Sequence, residues 1–142
     1  MRFLVIDDSL PMRRIITNVL SRLGHTDVVV AGNGREALKR VETEQIDFVI
    51  TDWYMPEMSG LDFLRALRSK EATKDVPIVI VTANGSRDDV AQAIGLRVNG
   101  YVLKPFTAET LKDRIAAIVA SHGPAAERGP SGASEPVAQA AA

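Results

Sequence analysis

The strongest constraint on the fold is a pattern that repeats five times: a short apolar run that stops on a polar or charged residue, then a stretch with helical spacing. The runs are Arg2 to Ile6, Val28 to Ala31, Phe48 to Ile50 leading into Thr51-Asp52, Val76 to Val81 ending at Thr82, and Gly100 to Leu103. Runs that are apolar on both faces fit a parallel sheet covered by helices on both sides. Pro77 stands at the start of its strand, where no donor is lost from the centre.

The intervening stretches keep an apolar face at helical spacing. Met12, Ile15, Ile16, Val19, Leu20 and Leu23 line the first, with Pro11 in its opening turn and Gly24 closing it. Gly32-Asn33-Gly34 is a turn before a shorter helix marked by Ala37, Leu38 and Val41. Leu61, Leu64 and Leu67, with Phe63 beside them, follow the turn made by Pro56 and Gly60. Ser69 to Asp75 reads as a charged loop. Arg87 to Leu96 reads as a helix with Val90, Ala93 and Ile94 inward. Thr107 can cap the last helix, which carries Leu111, Ile115, Ile118 and Val119 inward. Such alternation predicts an α/β fold, a doubly wound five-stranded parallel sheet with five helices. Right-handed crossovers place all five strand C-termini along one edge.

A chain of 142 residues with 46% hydrophobic content allows one domain with a proper core. We expect that domain over 1–122. Residues 123–142 are rich in Ala, Pro, Gly and Ser with a single valine, so we expect a disordered tail there. A net charge of −1 gives no reason to expect nucleic acid or a membrane surface as partner. The absence of cysteine excludes disulfides, thiol catalysis and cysteine-based zinc sites. His25 and His122 stand apart and read as surface residues near helix ends. No apolar stretch approaches the ~20 residues of a spanning helix. A cytoplasmic location is the default expectation.

The residues at the strand ends carry the chemistry. They are Asp7 and Asp8 after the first strand, Asp52 after the third, Thr82 after the fourth and Lys104 after the fifth. Singly, each has a bland reading: helix-capping acids, a strand-end β-branched residue, a solvated lysine. Jointly they require five coincidences at the edge where open α/β sheets bind ligands. Carboxylates ~4 Å apart repel by about 4 kcal/mol per pair at an effective dielectric of 20. Lys104 offsets part of that, and a hard divalent cation with oxygen ligands, Mg²⁺, suits the rest. Such a site favours phosphoryl transfer, with Asp52 as nucleophile and Thr82 as hydroxyl donor. No P-loop is present to bind a nucleotide donor.

Val5-Ile6-Asp7-Asp8-Ser9, Met12-Arg13-Arg14, Thr51-Asp52-Trp53-Tyr54-Met55-Pro56 with Gly60, Val81-Thr82-Ala83 and Gly100-Tyr101-Val102-Leu103-Lys104-Pro105-Phe106 together resemble a response-regulator receiver domain. Within that family the chain is similar to the single-domain chemotaxis regulators, over about Phe3 to Val119. The resemblance implies a flavodoxin-like strand order 2-1-3-4-5. It implies a phosphoryl group passed to Asp52 from a CheA-like sensor histidine kinase with Mg²⁺ bound. Asp8, Asp52 and the Tyr54 carbonyl would ligate the metal, with Asp7 reaching it through water. Thr82 and Tyr101 would form a switch pair, Lys104 would contact the phosphoryl group, and Lys104–Pro105 would be cis. A partner surface of Arg87, Val90, Tyr101, Leu103 and Arg114 would meet a flagellar-switch protein. A phosphatase would be a further partner, and the chain itself a monomer. Tyr54 and Asn84 flank the site at positions that tune dephosphorylation in the family.

One departure stands out. The family places glycine where this chain has Arg97, so that position is either strained or the helix ends at Gly95. The implied function is a phosphoacceptor protein, not an enzyme with its own substrate. The alternatives are a phosphorelay intermediate or phosphate sink. An aspartyl-phosphate phosphatase of the haloacid-dehalogenase kind would need Asp-x-Asp after the first strand and a cap. A flavodoxin-like FMN binder would need a Ser/Thr-rich phosphate loop after the first strand, and none is present.

Overall fold

The computed structural model describes residues 1–122. The expected tail over 123–142 lies outside the described residues. The order is β1 (Phe3–Ile6), α1 (Leu10–Arg22), β2 (Val28–Ala31), α2 (Gly34–Thr43), β3 (Phe48–Thr51), α3 (Gly60–Arg68), β4 (Ile78–Thr82), α4 (Arg87–Gly95), β5 (Gly100–Leu103) and α5 (Ala108–His122). The five strands pair in parallel in the order β2-β1-β3-β4-β5, as the resemblance implied.

Strand side chains alternate between two cores, as the two-residue period requires. Leu4, Ile6, Val49, Ile78, Ile80 and Tyr101 face α2, α3 and α4, where Ala37, Phe63, Leu64, Leu67 and Ala93 meet them. Phe3, Val5, Phe48, Ile50, Val79, Val81 and Val102 face α1 and α5, against Ile16, Val19, Leu20, Leu111, Ile115 and Ile118. Each helix begins on a side-chain cap: Ser9, Asn33, Ser59, Ser86 and Thr107 each accept from a backbone N–H three residues on.

Several expectations are corrected. Ile15 and Ile94 are 44% and 48% exposed, so the apolar stripes of α1 and α4 are narrower than their hydrophobic residues suggest. β4 begins at Ile78, two residues late, because Pro77 has no N–H to enter the ladder, although its carbonyl accepts from Val49. His122 is buried, not a surface residue. Its Nε2 meets the Asn99 amide at 3.0 Å and its Nδ1 meets the Ile118 carbonyl at 3.0 Å. The Asn99 amide nitrogen is a donor, so Nε2 accepts and Nδ1 carries the proton.

Two helices end alike. Gly24 has φ +87, and Arg97 has φ +59. After α1 the Gly24 and His25 N–H groups return to Ser21 and Leu20, and after α4 those of Arg97 and Val98 return to Ile94 and Ala93. Both are Schellman ends, with a left-handed residue satisfying the last carbonyls. Arg97 therefore occupies a conformation that glycine adopts without cost, and the cap does not shift to Gly95.

Candidate functional site

The register fixes the site. Ile6 pairs with Thr51, so Asp7 and Asp52 leave the sheet side by side. Thr82 ends β4 and Lys104 follows the last residue of β5. Among the described residues, Asp7, Asp8 and Asp52 form the one acidic group that could hold a cation. One carboxylate oxygen from each lies within 4.8 Å of the others. Asp7 is buried, Asp52 is 8% exposed and Asp8 is open to solvent.

Lys104 Nζ donates at 2.8 Å to Asp7 Oδ2 and at 2.8 Å to Asp52 Oδ2. Burial works against the ammonium, yet the two carboxylates outweigh it and hold the Lys104 pKa above its ordinary value. Asp7 is also pushed up, because desolvation outweighs its contacts with Lys104 and the Ser9 N–H. Asp52 Oδ1 accepts from the Trp53 and Tyr54 N–H groups at 2.6 and 3.3 Å, which aims Oδ2 outward at Lys104. Arg13 Nη1 donates to the Asp7 carbonyl at 2.6 Å, bringing a second cation to the rim.

Gly60 is needed for close approach, not for an unusual φ. A Cβ there would lie 2.4 Å from the Asp52 carbonyl and 2.9 Å from Trp53 Cα. The loop between β3 and α3 also folds onto α2. Glu57, at φ +68, accepts from Asn33, and the Gly34 N–H donates to the Met58 carbonyl. The Lys104–Pro105 bond is cis.

Thr82 is buried, and its Oγ1 accepts from the Asn84 N–H at 3.4 Å. Tyr101 lies inside, 1% exposed, and its hydroxyl donates to the Asn84 carbonyl at 2.7 Å. Burial, and then the negative charge of Asp89, push Tyr101 up to about 12, so it stays protonated as a donor. The expected switch pair thus meets through Asn84. Of the expected partner-surface residues, Arg87 and Leu103 are exposed and Val90 and Arg114 are half-buried. Tyr101 does not belong to that surface in this conformation, because its ring fills the core beside α4.

Sequence reasoning missed Asp89. It is buried in the first turn of α4 and accepts a hydrogen bond from the Tyr54 hydroxyl. No local signal points to that contact, since its two partners stand 35 residues apart in the sequence.

Comparison with known proteins gives one family. The pattern of the response regulator receiver domain matches residues 3–116. The chain is 47% identical over 115 residues to the chemotaxis protein CheY of Pseudomonas aeruginosa, covering 81% of this chain and 93% of the relative. It is 42% identical over 123 residues to CheY1 of Helicobacter pylori, covering 86% and 99%. The solved chemotaxis response regulator CheY4 of Vibrio cholerae superposes with a TM-score of 0.75 at 30% identity, over 82% of this chain and 96% of that one. A receiver domain of a Syntrophus aciditrophicus histidine kinase, at 22% identity and a TM-score of 0.77, shares the fold over 86% of this chain and 92% of its own.

Proposed function

This chain belongs to the response regulator receiver family, and from that premise we propose that it is a phosphorylation-driven signalling switch in chemotaxis. The domain that does this work is 1–122. The observation that carries the reading is Lys104 held 2.8 Å from both Asp7 and Asp52 at the carboxyl edge, with Asp8 beside them. Three carboxylates against one lysine leave the site short of positive charge, which suits a cation and then a phosphoryl group.

The donor set, oxygen only and partly open to solvent, fits Mg²⁺. Asp8, Asp52 and the Tyr54 carbonyl would hold it, with Asp7 behind them through water. Bound there, the ion would offset charge on the phosphoryl oxygens.

An Asp52 oxygen attacks phosphorus on a sensor kinase phosphohistidine. The new O–P bond forms as the N–P bond breaks, and the electron pair and a proton end on the imidazole. Lys104 turns from Asp52 Oδ2 to a phosphoryl oxygen, and the Thr82 hydroxyl donates to another. Thr82 would then pull on Asn84 and, through it, on Tyr101 and the start of α4. The face formed by α4, β5 and α5 would read out that change to a partner such as a flagellar-switch protein. Family members of this kind are signalling proteins, not enzymes with an external substrate.

Trp53, 3% exposed and adjacent to Asp52, supplies the test. Its fluorescence should change on adding Mg²⁺ and again on adding acetyl phosphate. Asp52→Asn should lose the second step, and mass spectrometry should find one phosphoryl group on the wild type alone. A phosphoryl group retained by Asp52→Asn would rule out Asp52 as the acceptor.

A further inference from the structure

An acid at the third position of a helix ordinarily reaches back to the N–H of the cap residue. α4 opens with Ser86-Arg87-Asp88-Asp89 and shows half of that arrangement, since Ser86 Oγ accepts from the Asp89 N–H at 3.2 Å. The other half is missing. The Ser86 N–H donates to Asn84 Oδ1 at 3.0 Å instead. Asp89 is thereby released from capping. Its carboxylate, 8% exposed, accepts from the Tyr54 hydroxyl across 35 residues of sequence.

The other end of that contact matters. The Tyr54 N–H rests on Asp52 Oδ1 at 3.3 Å, and its carbonyl is the proposed metal ligand. The Tyr54 ring is 52% exposed, so packing holds it loosely and the bond to Asp89 is what directs it. A charge-assisted bond of this kind is about twice as strong as a neutral one. A tyrosine has only two side-chain torsions, so it transmits displacement with little slack. The carboxylate also lies close enough to Tyr101 to raise its pKa.

We infer that Asp89 is a positioning residue that ties the phosphoacceptor loop to α4 through Tyr54, so that occupancy of the Asp52 site and the placement of α4 share one equilibrium. This link runs beside the path through Thr82, Asn84 and Tyr101, reaching α4 at the Asp89 carboxylate where Asn84 reaches it at Ser86. It rests on the receiver reading above. When a ligand draws the Tyr54 carbonyl inward, α4 must follow or the bond must break. By linkage, whatever holds α4 must change affinity at the loop by the same factor.

The test is a double-mutant cycle on the full chain, with Mg²⁺ alone as the first probe and Trp53 fluorescence as the readout. Tyr54→Phe removes one exposed hydroxyl and leaves the fold intact. Asp89→Ala removes the acceptor, and Asp89→Asn keeps a neutral one. We expect the Mg²⁺ dissociation constant to rise about fivefold in Tyr54→Phe and in Asp89→Ala, with no further rise in the double variant and an intermediate value for Asp89→Asn. Asp88→Ala, on the solvent side of the same turn, should match the wild type. The amide resonances of residues 87–95 should shift with Mg²⁺ in the wild type and lose that response in Tyr54→Phe. Effects that multiply in the double variant, or α4 amides that still follow Mg²⁺ in Tyr54→Phe, overturn the inference alone. A wild type indifferent to both Mg²⁺ and acetyl phosphate overturns the receiver reading and this inference with it.

Discussion

At the amino edge of the sheet one cationic side chain meets two carboxylates with a third beside them, and at the carboxyl edge another does the same. Arg2 binds Asp27 and Glu44 through its guanidinium at 3.1 and 3.5 Å, and Asp47 through its N–H at 2.7 Å. Lys104 binds Asp7 and Asp52, with Asp8 in the same cluster. The ingredients match and the surroundings differ. The Arg2, Asp27 and Glu44 side chains are 36%, 57% and 26% exposed, whereas those of Lys104, Asp7 and Asp52 are 17%, 1% and 11% exposed. Water screens the first cluster, so its acids serve only to pin the strand beginnings. The second cluster converges on one point with little water, so its charge surplus persists and can act on a ligand.

The widest gap between the two edges should come from deleting each cation in the metal-free protein. Lys104→Met leaves Asp7 and Asp52 buried without a counter-charge and should cost about 3–5 kcal/mol in chemical denaturation. Arg2→Met should cost about 1 kcal/mol or less. Excess Mg²⁺ should recover most of the first loss and none of the second. Equal and small losses would mean that burial does not separate these clusters.

The amino edge also carries a buried polar link at Asn99, and it should matter for folding only. Asn99 accepts from the Ile78 N–H through Oδ1 at 2.9 Å and donates to His122. Asn99→Ala orphans both partners and should cost about 1–3 kcal/mol. Phosphoryl uptake from acetyl phosphate should be unchanged once the variant is folded.

A smaller effect should appear in the pH dependence of the metal-free protein. Asp7 has a folded pKa above its unfolded value of 3.8, so the folded state holds more protons in the window between them. Stability from this group is present below that window and is lost as pH rises through it. The difference in unfolding free energy between wild type and Asp7→Asn should therefore slope with pH there, the wild type gaining as pH falls. His25, half-buried against Phe3, is pushed down by burial and runs the other way, so the slope must be read as a difference between variants.

Most of the fold was legible because each strand is apolar throughout and each helix is punctuated. The site residues were legible for a related reason: charged groups that follow an apolar strand must emerge at its end. What escaped has a common cause. Ile15 and Ile94 are apolar but face water, since periodicity marks a stripe and not its width. His122 was read as a surface residue near a helix end, and the family resemblance placed Tyr101 on the partner surface; each turns inward because a specific polar partner, Asn99 or the Asn84 carbonyl, waits in the core. Asp89 escaped because its partner, Tyr54, is distant in the sequence. A contact across 35 residues leaves no local pattern in the sequence.

The smallest effect concerns a residue the sequence did flag, at the amino edge where α4 ends. Arg97 sits at φ +59 and Gly24 at φ +87 in equivalent helix ends. A left-handed conformation costs a residue with a Cβ about 1–2 kcal/mol, and glycine loses about 0.4–1 kcal/mol of that advantage through its freer unfolded chain. The Arg97 side chain returns little, with contacts of 3.4 Å to the Lys74 carbonyl and 3.9 Å to Asp75 near solvent. Its strain is held in place by Arg68, whose Nε and Nη2 bind the Leu96 and Arg97 carbonyls at 2.9 and 3.1 Å, bonds that survive a change of side chain. Arg97→Gly should therefore stabilise the protein by about 0.5–1 kcal/mol. Gly24→Ala, where a Cβ meets nothing within 4 Å, should cost about 1 kcal/mol from backbone strain alone. Neither should alter Mg²⁺ affinity. A change in that affinity with Arg97→Gly would show that the end of α4 is felt at the carboxyl edge, and the separation of the two edges would then fail along that helix.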